Sequence, residues 1–380
     1  MKRLMLMGAS GSIGTQTIDV VREFPDELKI VGVSVGSNTE FLIDLLHEFD
    51  IKYAYTLKAD EKLKKLYPNV EFFCGSDGLK LMAAREDYDM LVNALVGFVG
   101  FIPTLTAIEN NKDVALANKE TLVAGGKIIN EAVARHNVNL LPIDSEHVAI
   151  LQCLKGHDVK DVKRLILTAS GGSFRDLSRE QLADVTLEQT LNHPVWNMGH
   201  KITTDSATMM NKGFEIIEAH YLFDIPYEKI DVLIHLESII HSMVEYNDGS
   251  IIAQLGTPDM RLMIKYALLY PRHLMDANTQ YLDLDNLASL NFRKMDYNRY
   301  PLVKLAKQVG GFEGNFGAIL NGANDEAVSL FLKNKIKFID IEQAIFKTLK
   351  AANFIADPST SEIVESFNWA KSYVDQLFLN

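Results

Sequence analysis

Cysteine is scarce. Only Cys74 and Cys153 occur in 380 residues, and they sit in no spaced motif. That pattern excludes a thiolate metal cluster, argues against a disulfide framework, and makes a reducing cytoplasm the simplest setting. Basic charge is also short. Lys and Arg total 38 against 50 Asp and Glu, a net charge of −12. No nucleic acid and no membrane surface is therefore expected as a partner, and affinity for a phosphorylated ligand has to come from a local pocket. Long hydrophobic runs are missing as well. The opening MKRLMLMGASG has too short an apolar stretch before Gly8 for a signal-peptide core. Leu91–Ile108 carries no charge, but Asn93, Gly97, Gly100 and Pro103 interrupt it. A strand, a turn and a helix starting near Pro103 account for it better than a membrane span. What is present is 47% hydrophobic residues, in a chain long enough for two or three domains with sizeable cores.

The first part alternates strand and helix patterns. Strands are expected at Arg3–Met7, Lys29–Val35, Met90–Leu95, Val114–Ala117 and Val138–Ile143, with helices over Gly14–Phe24 and Thr39–Glu48. This rhythm predicts an α/β fold, a Rossmann-type parallel sheet covered on both faces, ending near Asp144. From Val162 the pattern changes to a central α+β region. RLILTASGG is a strand running into a glycine turn, Asp231–His235 and Ser250–Gln254 are strands, and NDGS at 247–250 signals a hairpin. Helices are expected around Ser206–Phe223 and Met260–Tyr270. A weakly periodic stretch to about Tyr300 reads as a linker, and the rest as a C-terminal helical bundle.

Several segments could carry chemistry. GASGSIG at 8–14 follows the first strand and opens a helix. Small residues there let backbone N–H groups and the helix dipole meet a pyrophosphate, and Ser10 and Ser12 add hydroxyls. The second strand ends VSVGSN, through Gly36, Ser37 and Asn38. No carboxylate stands there to repel a 2′-phosphate, which favours NADP, although the turn also holds no Lys or Arg. ANKETL places Lys119 and Glu120 at a strand's carboxyl end; from this segment alone a plain helix start is the stronger reading. NLLPIDSEH sets Asp144 and Glu146 at i and i+2, on one side if the backbone stays extended. Two like charges held close need a cation, a shared proton or water between them. An Asp144 helix cap is the simpler local reading.

In DSATMMNKGFEIIEAHYLF, Asn211, Lys212 and Glu215 share one helix face, while Phe214, Ile217 and Tyr221 suit the core. A third carboxylate beside Asp144 and Glu146 would complete a hard-oxygen site for Mg²⁺ or Mn²⁺. ASGGSF at 169–174 can form an anion nest, so that Ser170, Ser206, Asn211 and Lys212 would hold one phosphate. LNHPVWNMGHK at 191–201 reads as a mobile lid whose Trp196 covers a ligand. His235 and His241 are left unassigned, a hydrogen-bonded structural histidine being the commoner case.

Taken in order, GASGSIG, ANKETL, DSEH, SGGSF, NHPVWNMG, DSATMMNKGFE and IHSMVEYNDGSIIAQLGTPDMR resemble the 1-deoxy-D-xylulose 5-phosphate reductoisomerases over essentially the whole chain. The resemblance implies a homodimer with an NADPH-binding domain (1–144), a catalytic and metal-binding domain (145–270), a linker (271–300) and a helical bundle (301–380). It implies Asp144, Glu146 and Glu215 as ligands of Mg²⁺ or Mn²⁺. It implies Ser145, Ser170, His193, Ser206, Asn211 and Lys212 as substrate-binding residues, with Lys119 and Glu146 near the reacting carbons. Ser10, Gly11, Ser12, Ile13, Gly36, Ser37, Asn38, Asn118, Glu120 and Gly199 fall at cofactor positions, and Trp196 and Met198 in the lid. Ser10, Ser37, Ser173 and HLES at 235–238 depart from common family residues. The implied reaction rearranges a phosphorylated ketose by carbon–carbon cleavage and rejoining, then reduces the resulting aldehyde with NADPH. Two rivals fare worse on the residues. A semialdehyde dehydrogenase needs a cysteine in a nucleophile motif, and an NADP sensor has no use for three converging carboxylates and a lid.

Overall fold

Strands with long buried apolar runs build the centre of the first sheet. In β1 (Lys2–Met7) the residues Leu4, Met5, Leu6 and Met7 are each 0% exposed. Such continuous apolar runs belong to parallel sheets covered on both faces. The computed structural model describes residues 1–196 and 198–379. β2 (Leu28–Ser34), β3 (Tyr53–Thr56), β4 (Glu71–Cys74), β5 (Met90–Asn93), β6 (Asp113–Leu116) and β7 (Leu140–Pro142) complete a seven-stranded sheet in the order β4-β3-β2-β1-β5-β6-β7. Every pair in it is parallel. The strand order reverses between β1 and β5, which opens the crevice where such sheets bind ligands.

The second sheet is mixed. β8 (Val162–Ala169), β9 (Ile230–His235), β10 (Ile240–Tyr246), β11 (Ile251–Leu255) and β12 (Phe292–Lys294) lie in the order β11-β10-β8-β9-β12. β10 and β11 are antiparallel and joined through Gly249 at φ +87, as the NDGS signal predicts. Four helices, Pro301–Phe312, Phe316–Leu332, Phe338–Ala351 and Thr360–Leu379, form the C-terminal region.

The chain divides into two compact units. One comprises Met1–Thr121, Lys127–Val148 and Asp259–Thr279, and the other Leu122–Gly126, Ala149–Pro258 and Gln280–Asn380. In the first, helix Met260–Leu269 packs on helix Ser12–Glu23, and the Lys2 ammonium donates to the Leu268 carbonyl at 2.8 Å. The stretch 271–300, expected as a linker, contributes β12, which pairs with β9.

One open alternative is settled and one expectation is corrected. The backbone does not stay extended from Asp144 to Glu146: β7 ends at Pro142, and a helix runs from Ser145 to Leu154. The Asp144 carbonyl accepts the first helical bond, from Val148 N at 2.9 Å, so Asp144 takes the cap position. The helix expected over Ser206–Phe223 is two helices, His200–Thr208 and Met210–Phe223, broken at Met209 with φ 62. Met209 is 2% exposed, so burial of its side chain offsets a backbone conformation that is unfavourable for a non-glycine residue.

Candidate active site

At the carboxyl end of β1 the chain turns through Gly8 at φ +86. A Cβ there would meet the Ala94 carbonyl oxygen at 2.4 Å, and one on Gly14 would meet the Gly8 carbonyl oxygen at 2.1 Å. Only glycine permits this close approach beside the reversal of strand order. Helix Ser12–Glu23 starts from Gly11 with no side-chain cap, so its first N–H groups are available to an anion. Ser10 Oγ donates to the Val35 carbonyl at 3.2 Å, which ties the glycine turn to the end of β2. Gly36, Ser37 and Asn38 follow β2, and Asn38 caps helix Thr39–Glu48 by accepting from Phe41 N at 3.2 Å. Ser10, Gly11, Ser12, Ile13, Gly36, Ser37 and Asn38 thus lie on one edge of one sheet, and the donor-rich uncapped turn fits a dinucleotide pyrophosphate.

A second group stands at the same edge, at the ends of β6 and β7. Asn118 caps helix Lys119–His136 through Thr121 N at 3.1 Å and donates to the carbonyls of Leu95 and Gly97 at 2.9 and 2.7 Å. It is 1% exposed and also donates to Glu120 Oε2 at 3.3 Å. Lys119, one residue on, places its ammonium 2.6 Å from Asp144 Oδ2. His147 Nδ1 stands 3.8 Å from the same oxygen and is wholly buried. Ser145 Oγ donates to Glu146 Oε2 at 2.5 Å. All the anionic donors here are carboxylate oxygens, the chemistry a hard divalent ion takes.

In the second unit, helix Met210–Phe223 is buried on two sides. Met210, Phe214 and Ile217 join the core of the C-terminal helices, while Ile216, Ala219 and Phe223 join the core under the second sheet. The remaining stripe carries Asn211, Lys212 and Glu215. Enclosure by both cores makes this stripe a buried polar cluster, with Lys212 3% and Glu215 1% exposed. The Lys212 ammonium pairs with Glu215 Oε2, and Asn211 Nδ2 donates to Glu215 Oε1 at 2.5 Å. Close packing sets the helix: a Cβ on Gly213 would meet the Ala306 methyl at 2.6 Å.

The SGG turn after β8 lies against helix His200–Thr208. Gly172, at φ +72, brings its Cα so near that a Cβ would sit 2.4 Å from the Ser206 carbonyl oxygen. Ser170 Oγ lies 3.1 Å from His193 Nε2. His193 Nδ1 accepts from Val195 N and Trp196 N at 3.2 and 2.9 Å, so the ring proton belongs on Nε2 and points at Ser170. Burial, helped by the Arg175 guanidinium, pushes the imidazole from 6.5 down to about 4. His193 is thus a neutral donor. The segment it anchors holds the half-buried Trp196 and Met198, and Gly199 precedes helix His200–Thr208; Asn197 lies outside the described residues.

Sequence reasoning missed the supports of this cradle. Asp205, next to Ser206, accepts from Lys201 Nζ at 2.9 Å and from Asn324 Nδ2 at 2.8 Å. Arg175 Nη1 donates to the Ser170 carbonyl at 3.3 Å and the Leu236 carbonyl at 3.2 Å. The one signal for Asn324 was a polar residue on the buried face of NDEAVSLFL. His235, left unassigned from the sequence, is bonded to backbone groups on both ring nitrogens. Its Nε2 accepts from Ile239 N and Ile240 N at 3.3 and 3.1 Å, and Nδ1 lies 2.9 Å from the Asn291 carbonyl.

A parallel sheet with a glycine turn at its reversal, followed along the chain by a buried lysine–carboxylate cluster and a hydroxyl-bearing anion turn, defines a nucleotide-dependent α/β enzyme acting on a small anionic substrate. Residues 4–126 match the family described as 1-deoxy-D-xylulose 5-phosphate reductoisomerase, 140–223 its C-terminal domain, and 255–373 a further DXP reductoisomerase C-terminal domain. The reductoisomerase of Geobacillus sp. (strain WCH70) is 50% identical over 380 residues, 99% of this chain and 100% of that one. The enzyme of Bacillus cereus (strain AH187) is 50% identical over 367 residues, covering 96% and 97%. Among solved structures, the reductoisomerase from Zymomonas mobilis in complex with NADPH is 40% identical, with a TM-score of 0.90 over 99% of both chains. A DOX-P reductoisomerase in complex with NADPH, fosmidomycin and magnesium is 36% identical, with a TM-score of 0.94 over 100% of this chain and 98% of that one. The chain belongs to the 1-deoxy-D-xylulose 5-phosphate reductoisomerase family.

Proposed function

We propose that this chain converts 1-deoxy-D-xylulose 5-phosphate to 2-C-methyl-D-erythritol 4-phosphate with NADPH and Mg²⁺ or Mn²⁺, as a step of isoprenoid precursor biosynthesis. Identity of 50% along 99% of the chain carries that reading. The protein is an NADPH-dependent oxidoreductase that also isomerises its substrate. In this reading residues 1–144 bind the dinucleotide, 145–270 carry the chemistry, 271–300 connect and 301–380 brace it.

The residue roles are those the family resemblance implies, and the local geometry supports some of them. Ser10, Gly11, Ser12 and Ile13 hold the pyrophosphate through backbone N–H groups and hydroxyls. Gly36, Ser37 and Asn38 receive the adenosine ribose, and Asn118, Glu120 and Gly199 serve the rest of the cofactor. Ser170, Ser206, Asn211 and Lys212 bind the substrate phosphate. His193 presents a neutral N–H that orients Ser170, so the phosphate meets several neutral donors and one ammonium. Asp144, Glu146 and Glu215 are the oxygen donors for the divalent ion, with Ser145 steadying Glu146. When bound, the ion supplies Lewis acidity toward the substrate oxygens and NADPH supplies the hydride. Lys119 orients Asp144 and, with Glu146, stands near the reacting carbons, where the pair can hold and move a proton. Trp196 and its segment cover the substrate and exclude water from the reactive aldehyde.

Free Cys74 and Cys153 suit a cytoplasmic enzyme, and among the described residues no helix is long and apolar enough to cross a membrane. The uncovered β11 edge, with Ile251 52% and Leu255 38% exposed, suits a homodimer. The assay that tests the whole reading follows NADPH absorbance with the ketose phosphate and Mg²⁺. Oxidation should need all three components, and its absence with all three present sinks the assignment.

A further inference from the structure

The turn after β2 is where a dinucleotide-binding sheet meets the adenosine ribose, so it is where NADPH and NADH are told apart. Here the turn brings no formal charge. Gly36 has open space where a Cβ would stand, Ser37 is exposed, and the Asn38 side-chain oxygen already caps the next helix. Glu40, in the first turn of that helix, is exposed and adds a negative charge that a 2′-phosphate would oppose. The cation that distinguishes the two cofactors has to come from another element.

β3 lies beside β2, and its pairing continues past the strand ends. Val35 N donates to the Tyr55 carbonyl at 3.2 Å, and Leu57 N donates to the Gly36 carbonyl at 2.7 Å. The second of these bonds fixes the residue before Lys58 directly onto the ribose turn. Thr56 Oγ1 donates to the Lys58 carbonyl at 2.8 Å, and Asp60 caps helix Glu61–Leu66 by accepting from Lys62 N and Leu63 N. Both ends of this turn are therefore held, with Lys58 at its exposed crest. Of the nearby lysines, Lys52 pairs with Asp87 and Lys64 with Glu61, while the exposed Lys62 and Lys65 lie on the following helix rather than on the turn bonded to Gly36. Among the described residues no carboxylate pairs with Lys58.

We propose that Lys58 is a specificity-determining residue, pairing with the 2′-phosphate of NADPH and setting its preference over NADH. This rests on the NADPH reading above. The long flexible stem and compact ammonium of lysine suit a phosphate on a neighbouring turn. Because the pair is exposed, its contribution is modest and salt-sensitive.

The test is calorimetric titration of NADPH and of NADH into the full-length protein without substrate or metal. Lys58→Ala should weaken NADPH about fivefold and leave NADH unchanged, Lys58→Glu should weaken NADPH further, and Lys58→Arg should keep most of the preference. Raising the salt should narrow the gap in the parent protein but not in Lys58→Ala. Equal losses for both cofactors, or an unchanged NADPH preference in Lys58→Ala, overturns this inference and leaves the functional reading standing. A parent protein that binds neither cofactor overturns both.

Discussion

At the scale of single residues, the notable arrangement is that carboxylates are held next to lysines. Asp144 meets Lys119, and Glu215 meets Lys212 in surroundings where the two are 1% and 3% exposed. Each carboxylate therefore has an ammonium within ion-pair reach where little water arrives. Glu215→Gln keeps the side-chain shape but removes one anionic donor. Turnover should fall about a thousandfold, because a Lewis-acid ion supplies several kcal/mol of transition-state stabilisation. NADPH affinity, measured by titration, should stay within about twofold, since the glycine turn is built of other residues; a variant with near-normal turnover refutes the ligand role. His193 gives a pH signature with a definite sign. Its folded value of about 4 lies below the ordinary 6.5, so between those limits the unfolded chain takes up a proton that the folded chain does not. Stability from this group is complete above about pH 6.5 and declines as the pH falls toward 4. Urea midpoints measured across that window should slope in the parent protein and slope less in His193→Gln. Equal slopes would show that another group is responsible.

At the scale of elements, the anion cradle depends on a turn pressed against a helix. Gly172 has both a positive φ and a backbone carbonyl where a Cβ would go. Gly172→Ala therefore strains the turn and pushes it off Ser206, at a cost of about 1–3 kcal/mol. The KM for the ketose phosphate should rise about tenfold while NADPH affinity holds; steady-state kinetics over a range of substrate concentrations measures the first and titration the second. The sequence made this element legible, because a strand, two glycines and hydroxyls read locally. It made the hairpin at 247–250 legible for the same reason. It did not show the break at Met209. A non-glycine residue with φ 62 carries no local signal; burial of its side chain and backbone bonds to Ser206 and Gly213 hold it there. Nor did it show that the Asn211–Lys212–Glu215 stripe is buried. Helical spacing gives the face, but whether that face meets water depends on two cores contributed by residues far along the chain. Of the alternatives open at Asp144–Glu146, the helix cap is the one the structure has, because a helix starts directly after β7.

At the scale of the whole molecule, the two functions are written on different parts of the chain. The glycine turn, the turn after β2 and the Lys119–Asp144 pair belong to the first compact unit, and the SGG turn with Glu215 to the second. The change from βαβ rhythm to mixed-sheet signals along the sequence corresponds to the two separate sheets. It did not reveal that Asp259–Thr279 returns to the first unit, since that helix is recruited by packing on Ser12–Glu23 rather than by any local motif. An overall charge of −12 means that an anionic substrate approaches against the net field, so its affinity rests on a few local cations and on the divalent ion. Stripping the metal with a chelator should therefore abolish turnover and weaken ketose phosphate binding. Dinucleotide binding should persist, because the N–H groups of an uncapped helix start need no ion. Added Mg²⁺ or Mn²⁺ should restore turnover. The decisive comparison is NADPH titration before and after chelation. If affinity for the dinucleotide collapses together with turnover, the ion is a structural support of the first unit rather than a participant in the chemistry, and the roles given to Asp144 and Glu146 have to be rewritten.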